Sequence, residues 1–206
     1  VVSIISSMNG RAFSALLYIF IALIFDGLDG RVARLTNTTS KFGVEFDSLS
    51  DLVAFGVAPA VFFYVNLGYE FGKIGTLISG FFVVFGAIRL ARFNVTTGTY
   101  EPSVFIGLPI PTAAIVSAVY IYAYTRYDFF RGFEVAFLLV QLGLAFLMVS
   151  NIRYPSFKKV DLSQANMLKV LVLLILAFSL LYLYTLESIF IAVSLYVFYG
   201  PLRTIY

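Results

Sequence analysis

Histidine and cysteine are both absent from this 206-residue chain, and charged residues make up only 12% of it. Without cysteine there are no disulfides, no thiolate nucleophile and no cysteine-ligated zinc. Without histidine the chain lacks the commonest general base and the commonest transition-metal ligand, so any proton transfer falls to carboxylates, lysine or tyrosine. The net charge is only +3 and the basic residues are not clustered, which excludes nucleic acid as a partner. Polar sequence is also too scarce for a separate soluble domain. The residues are 61% hydrophobic and the mean hydropathy is +0.96.

What is present is a series of apolar runs, each near the ~20 residues that cross a bilayer as a helix. The fold class is therefore an all-α integral membrane protein, with residues 1–206 forming one domain of about eight transmembrane helices. The opening residues 1–8 read as the tail of a span already begun, so the first helix is truncated, and no cleavable signal is evident. Further spans are expected over 11–34, 43–66, 74–93, 109–124, 132–150, 167–184 and 189–199. Residues 94–108 read as a polar loop, and 153–164 as a polar, basic segment that suits a short interfacial helix. Gly200 and Pro201 should end or kink the last span.

Basic residues set the orientation. If the loop near residue 38 is cytoplasmic, the inner ends hold Arg31, Arg34, Lys41, Arg89, Arg92, Arg153, Lys158, Lys159, Lys169 and Arg203. The outer ends hold only Arg11, Lys73, Arg126 and Arg131. That asymmetry places the protein in the cell membrane, multi-pass, with this loop on the cytoplasmic side.

Asp26, Asp29, Asp47 and Asp51 fall inside a chain that is otherwise mostly hydrocarbon. Asp26 and Asp29 are three apart and Asp47 and Asp51 four apart, so each pair shares a helix face. The polar stretch 36–41 links the two helices. If they end near Arg34 and restart near Gly43, Asp26 and Asp51 lie at matching depths of roughly 12 Å, at 1.5 Å per residue. Antiparallel pairing would gather all four carboxylates. Inside a membrane each unpaired carboxylate costs roughly 2.5–3.5 kcal/mol, so protonation, arginine pairing or a divalent cation must compensate. An ion-pair network with Arg31 and Arg34 is the structural alternative. Acidic oxygens without histidine or cysteine suit hard cations, Mg²⁺ or Mn²⁺ first.

Asp26, Asp29, Gly30, Ala33, Arg34, Gly43, Asp47 and Asp51 match D-x2-D-G-x2-A-R-x8-G-x3-D-x3-D without a departure. The chain thereby resembles the CDP-alcohol phosphotransferases, membrane enzymes that move a phosphatidyl or related group from a CDP-linked donor to an alcohol. The resemblance implies that family's fold and two divalent cations, Mg²⁺ or Mn²⁺, held by Asp26, Asp29, Asp47 and Asp51. It also implies Asp51 as general base, and nucleotide contacts from Asp29, Gly30, Ala33, Arg34 and Gly43. Helix packing is the alternative for Gly30 and Ala33, and a snorkelling interface residue the alternative for Arg34. Family members are commonly homodimers. The absence of histidine excludes the unrelated phospholipase-D-like route to similar products.

Three further stretches, 47–60, 89–94 followed by 105–114, and 148–159, resemble the branch of this family that uses serine. The expected substrates are CDP-diacylglycerol, or a CDP-linked ether lipid, and L-serine, with membrane lipids around the protein. Serine needs a cation for its carboxylate, and Arg89, Arg92 and Asn94 at the end of the fourth span are the candidates, with Lys41 next. Positive-inside anchoring is the alternative for the two arginines. Other readings are transfer to glycerol 3-phosphate or an inositol phosphate, and, in a different class, a cation channel or transporter.

Overall fold

A computed structural model describes residues 1–36, 40–96, 104–155 and 167–205. The side chains of Ala33, Arg34 and Lys169, residues Lys158 and Lys159, and the expected interfacial helix beyond residue 155 lie outside the described residues. The helices are α1 (Val2–Met8), α2 (Ala12–Leu35), α3 (Lys41–Asp51), α4 (Ala58–Asn66), α5 (Lys73–Thr96), α6 (Ile110–Arg126), α7 (Glu134–Val149), α8 (Met167–Leu183) and α9 (Thr185–Ile205). A π-helical segment, Leu52–Val57, joins α3 to α4 without a break, so the described residues form eight helical rods, as the sequence predicts. Four stretches are long and apolar enough to cross a membrane: Ala12–Val32, Lys41–Asn66, Lys73–Val95 and Thr185–Arg203. The apolar parts of α7 and α8 are shorter.

The centre of the bundle is α6, which packs against α2, α4, α7 and α9. Ala113, Ala114, Ser117, Ala118 and Ala123 are all buried along it. Small side chains let neighbouring backbones approach closely, the packing that membrane interiors favour. Polar pairs fix the neighbours: Ser117 donates to Gln141 at 2.7 Å, Tyr120 and Ser194 share a hydrogen bond of 2.6 Å, and Tyr127 donates to Glu187. By contrast α8 packs on α9, and every residue from 171 to 185 is exposed.

Two expectations are corrected. The region read as the 94–108 loop contains a strand, β1 (Val104–Ile106), which pairs antiparallel with β2 (Arg153–Pro155), Phe105 opposite Tyr154. Three-residue strands are too short to show a period in the sequence. Gly200 and Pro201 do not end the last helix, which begins earlier, at Thr185, and continues to Ile205. Proline removes the N–H that would bond the carbonyl four residues back, here that of Val197. The hydroxyl of Tyr154 donates to that same carbonyl, at 3.4 Å, and the lack of a side chain at Gly200 makes room for the tyrosine ring. Tyr154 is fully buried, and burial pushes its phenol up to about 12, so it stays a neutral donor throughout the physiological range. Gly200→Ala should therefore destabilise the protein by about 1–3 kcal/mol through overpacking, read as a lower midpoint of thermal unfolding in detergent.

Candidate active site

The two aspartate-bearing segments meet where α2 packs on the π segment and α4. Towards the 36–40 link α3 buries no residue, so the aspartate level is open at that end. Ser40 caps α3, its Oγ accepting from the backbone N–H of Gly43 at 3.0 Å. A Cβ on Gly43 would stand 3.2 Å from that oxygen, which gives this glycine a local reason beside the expected room for a nucleotide.

Asp26, Asp47 and Asp51 each offer a carboxylate oxygen, and these oxygens lie within 4.8 Å of one another. Asp26 and Asp51 are half-buried and Asp47 is exposed; Asp26 and Asp51 are within hydrogen-bonding reach of each other. Carboxylates this close need a cation or a proton between them. An all-oxygen set without nitrogen or sulfur donors fits a hard divalent ion. Three of the four aspartates expected to share a site form this group. Asp29, exposed and one turn along α2, lies outside the group although its helix face is the one predicted. Gly30 is half-buried beside it.

The structure separates the two arginines that the sequence treats as equivalents. Arg92 donates through Nη1 to the Val149 carbonyl (3.1 Å) and Asn151 Oδ1 (3.4 Å). Its Nη2 donates to the carbonyls of Ile106 (3.1 Å), Met148 (3.3 Å) and Ser150 (3.0 Å). The guanidinium thus closes the C-terminal end of α7 and ties it to β1, around Gly107, whose φ is +75°. Both terminal nitrogens of Arg92, a residue expected to position the acceptor, are thus engaged by the fold.

Arg89 is only 7% exposed. Its guanidinium stands over the Phe93 ring at 5.2 Å, and Asp51 and Tyr196 are within its electrostatic reach. Tyr196 in turn lies against Tyr154, ring centres 5.6 Å apart. Asn94 donates to Ser48 Oγ at 2.9 Å, tying the end of α5 to α3 between Asp47 and Asp51. Lys41 is exposed at the start of α3, about 15 Å along the helix from Asp51 at 1.5 Å per residue. Sequence reasoning did not single out Ser48, Phe93 or Tyr196. Ser48 carried a signal in lying between the two aspartates, whereas Tyr196 is one of many tyrosines and carried none.

The apolar clefts of this structure are elsewhere. Two, of about 310 Å³ each, border Phe130 and Phe190, roughly 20 Å along α6 from the aspartate end. Their walls are mostly hydrocarbon and aromatic, and the one carboxylate among them, Glu187, accepts from Tyr127.

The sequence profile of the CDP-alcohol phosphatidyltransferase family matches residues 1–149. The chain is 52% identical over 186 residues to a CDP-diacylglycerol–serine O-phosphatidyltransferase of Helicobacter pylori (strain J99), covering 90% of this chain and 77% of that protein. It is 39% identical over 156 residues to an archaetidylserine synthase of Methanothermobacter thermautotrophicus, covering 74% of this chain and 63% of the relative. With a CDP-diacylglycerol–serine O-phosphatidyltransferase of Bacillus subtilis it shares 36% identity over 146 residues, 71% of this chain and 77% of the relative.

Proposed function

The chain belongs to the CDP-alcohol phosphatidyltransferase family, and we infer from this premise that it transfers the phosphatidyl group of CDP-diacylglycerol to the hydroxyl of L-serine, giving phosphatidylserine and CMP. The observation that carries the reading is the gathering of Asp26, Asp47 and Asp51 within 4.8 Å, with the buried Arg89 guanidinium within electrostatic reach of Asp51. The 52% identity to a diacylglycerol-using relative, against 39% to the archaetidylserine synthase, supports an acyl lipid as the donor. The excess of arginine and lysine at one end of the spans supports a site that faces the cytoplasm.

Asp26, Asp47 and Asp51 would hold divalent ions, Mg²⁺ or Mn²⁺, with Asp29 as the further ligand that a second ion needs. When bound, such ions neutralise the diphosphate and the departing nucleotide phosphate. Asp51 accepts the proton of the serine hydroxyl. The serine oxygen forms its bond to the phosphorus that carries the diacylglycerol, and the bond from that phosphorus to the bridging oxygen breaks. The electron pair leaves with CMP. Arg89 holds the serine carboxylate through its fork of N–H donors, and Asn94 with Ser48 fixes the end of α5 against the aspartate-bearing helix.

An acceptor screen tests this directly. Purified protein, CDP-diacylglycerol and Mn²⁺ or Mg²⁺ should release CMP in proportion to added L-serine and form phosphatidylserine. Release that responds to glycerol 3-phosphate or an inositol phosphate, and not to serine, would move the protein to another branch. Ion flux through vesicles without any CMP release would remove it from enzymes altogether.

A further inference from the structure

Asp51 is followed directly by the π-helical segment Leu52–Val57. Gly56 within it and Pro59 just beyond it, whose ring meets the carbonyl of Phe55, loosen the α-helix here, but they do not by themselves select a π turn, which is rare and favours functional positions. A π turn takes up one residue more than an α turn, so it offsets the faces before and after it by about 100°, one residue's rotation. Asp47 and Asp51 stand before the turn, and the tightly packed face of α4, with Phe62 and Phe63 fully buried, stands after it. Relaxation to an unbroken α-helix would rotate both aspartates by that angle relative to the packed face, away from their present approach to Asp26.

The packing that opposes relaxation comes from α6. Ile110 in its first turn is fully buried, and its terminal methyl group lies between two glycines. A Cβ on Gly86 of α5 would stand 2.7 Å from Ile110 Cδ1 and 3.5 Å from its Cγ1. A Cβ on Gly56, inside the π segment, would stand 3.8 Å from Ile110 Cδ1 and 2.9 Å from Leu52 Cδ1. The Leu52 methyl group also reaches to 4.0 Å of the Gly86 position. The notch between the two glycines is therefore filled by the methyl groups of Ile110 and of the residue next to Asp51. Ile110 has little freedom to retreat. Pro109 precedes it, the N–H of Leu108 donates to the Leu147 carbonyl at 3.0 Å, and the N–H of Gly107 donates to that of Ile152 at 2.8 Å.

We propose that Ile110 is a positioning residue, its terminal methyl group wedged between Gly56 and Gly86 so that the π turn persists and keeps the Asp51 carboxylate beside Asp26. The proposal rests on the reading of the three aspartates as a divalent-ion site. Gly86→Ala should evict the wedge, whereas Ile110→Val deletes the same methyl group that the alanine would strike. The double variant Gly86→Ala/Ile110→Val is thus an exchange of one methyl group across the notch.

The test is Mn²⁺ binding by the purified full chain in detergent, followed as loss of the free-ion paramagnetic resonance signal, with CMP release measured alongside. Gly86→Ala should weaken Mn²⁺ binding about tenfold or more, the range typical of residues that orient metal ligands. The double variant should return to within about twofold of the parent protein. Parent-like Mn²⁺ binding by Gly86→Ala, or a folded double variant that binds no better than the single one, would overturn the wedge. If Gly86→Ala aggregates, the double variant decides: a monodisperse protein with parent-like Mn²⁺ binding supports the exchange, and an aggregated or non-binding one overturns it. A parent protein that neither binds Mn²⁺ nor releases CMP would instead refute the activity itself.

Discussion

Replacing Asp26, Asp47 or Asp51 singly with asparagine should lower kcat for CMP release by about a thousandfold, and EDTA should abolish the activity until Mg²⁺ or Mn²⁺ is returned. A thousandfold is about 4 kcal/mol of transition-state stabilisation, at ~1.4 kcal/mol per factor of ten. That size is expected because each carboxylate occupies a place that no neighbour can fill: among the described residues these three form the acidic group, and histidine is absent from the chain. The three variants should differ in binding. An amide can coordinate through its carbonyl oxygen but cannot accept a proton. Asp51→Asn should therefore still bind CDP-lipid in a filtration or calorimetric assay while losing transfer, whereas Asp26→Asn and Asp47→Asn should lose affinity for Mn²⁺ as well. Full activity in chelator, or in any of the three variants, would sink the divalent-ion site.

The second large effect is expected at Arg89. Arg89→Lys should raise KM for serine about tenfold and leave KM for CDP-diacylglycerol nearly unchanged, because an ammonium keeps the charge and loses the planar two-point contact with a carboxylate. Arg92→Lys should behave differently. One ammonium has three donors and no fork, so it cannot reach the three segments that Arg92 joins. The loss should appear as a lower unfolding midpoint, with no selective change in serine KM. If Arg89→Lys keeps parental serine kinetics while Arg92→Lys raises the serine KM, the two roles are assigned the wrong way round.

That pair of arginines shows where sequence legibility stops. Arg89 and Arg92 have the same side chain, lie on one helix face and follow the same topological rule, so residue type and spacing cannot divide their labour. The division comes from carbonyls at residues 106 and 148–150, brought to Arg92 by the ends of β1 and α7. The aspartates were legible for the opposite reason. Their cost in hydrocarbon is a property of the residue itself, and their spacing on two short helices fixes their faces locally. Face and depth also placed Asp29 with them, and in the structure it is exposed one turn along α2, beside the group of three. Gly56 and Pro59 mark a loosened helix but not a π turn, because the methyl group that opposes its relaxation comes from Ile110, more than fifty positions downstream. The helix was not expected to run on past Pro201, because the partner of the carbonyl that the proline frees is supplied by Tyr154, on a strand too short to anticipate.

That α9 follows every other described helix in the chain has a consequence for biosynthesis. A ribosome delivers all four aspartates before Arg89, which lies 38 residues after Asp51 in the chain. Each of those carboxylates costs roughly 2.5–3.5 kcal/mol to insert alone, so α2 and the Lys41–Asn66 rod enter the bilayer most cheaply together, as a hairpin with its acidic end still wet. Among the described helices the last to arrive is α9, carrying Ser194 for Tyr120, Glu187 for Tyr127 and the Val197 carbonyl for Tyr154. Until it docks, α6 keeps an uncovered polar edge inside the membrane. The same three contacts that fasten the finished bundle therefore time its completion: a nascent chain stalled before Thr185 would hold every aspartate and both arginines of the site, yet lack the wall against which Tyr154 and its strand are seated.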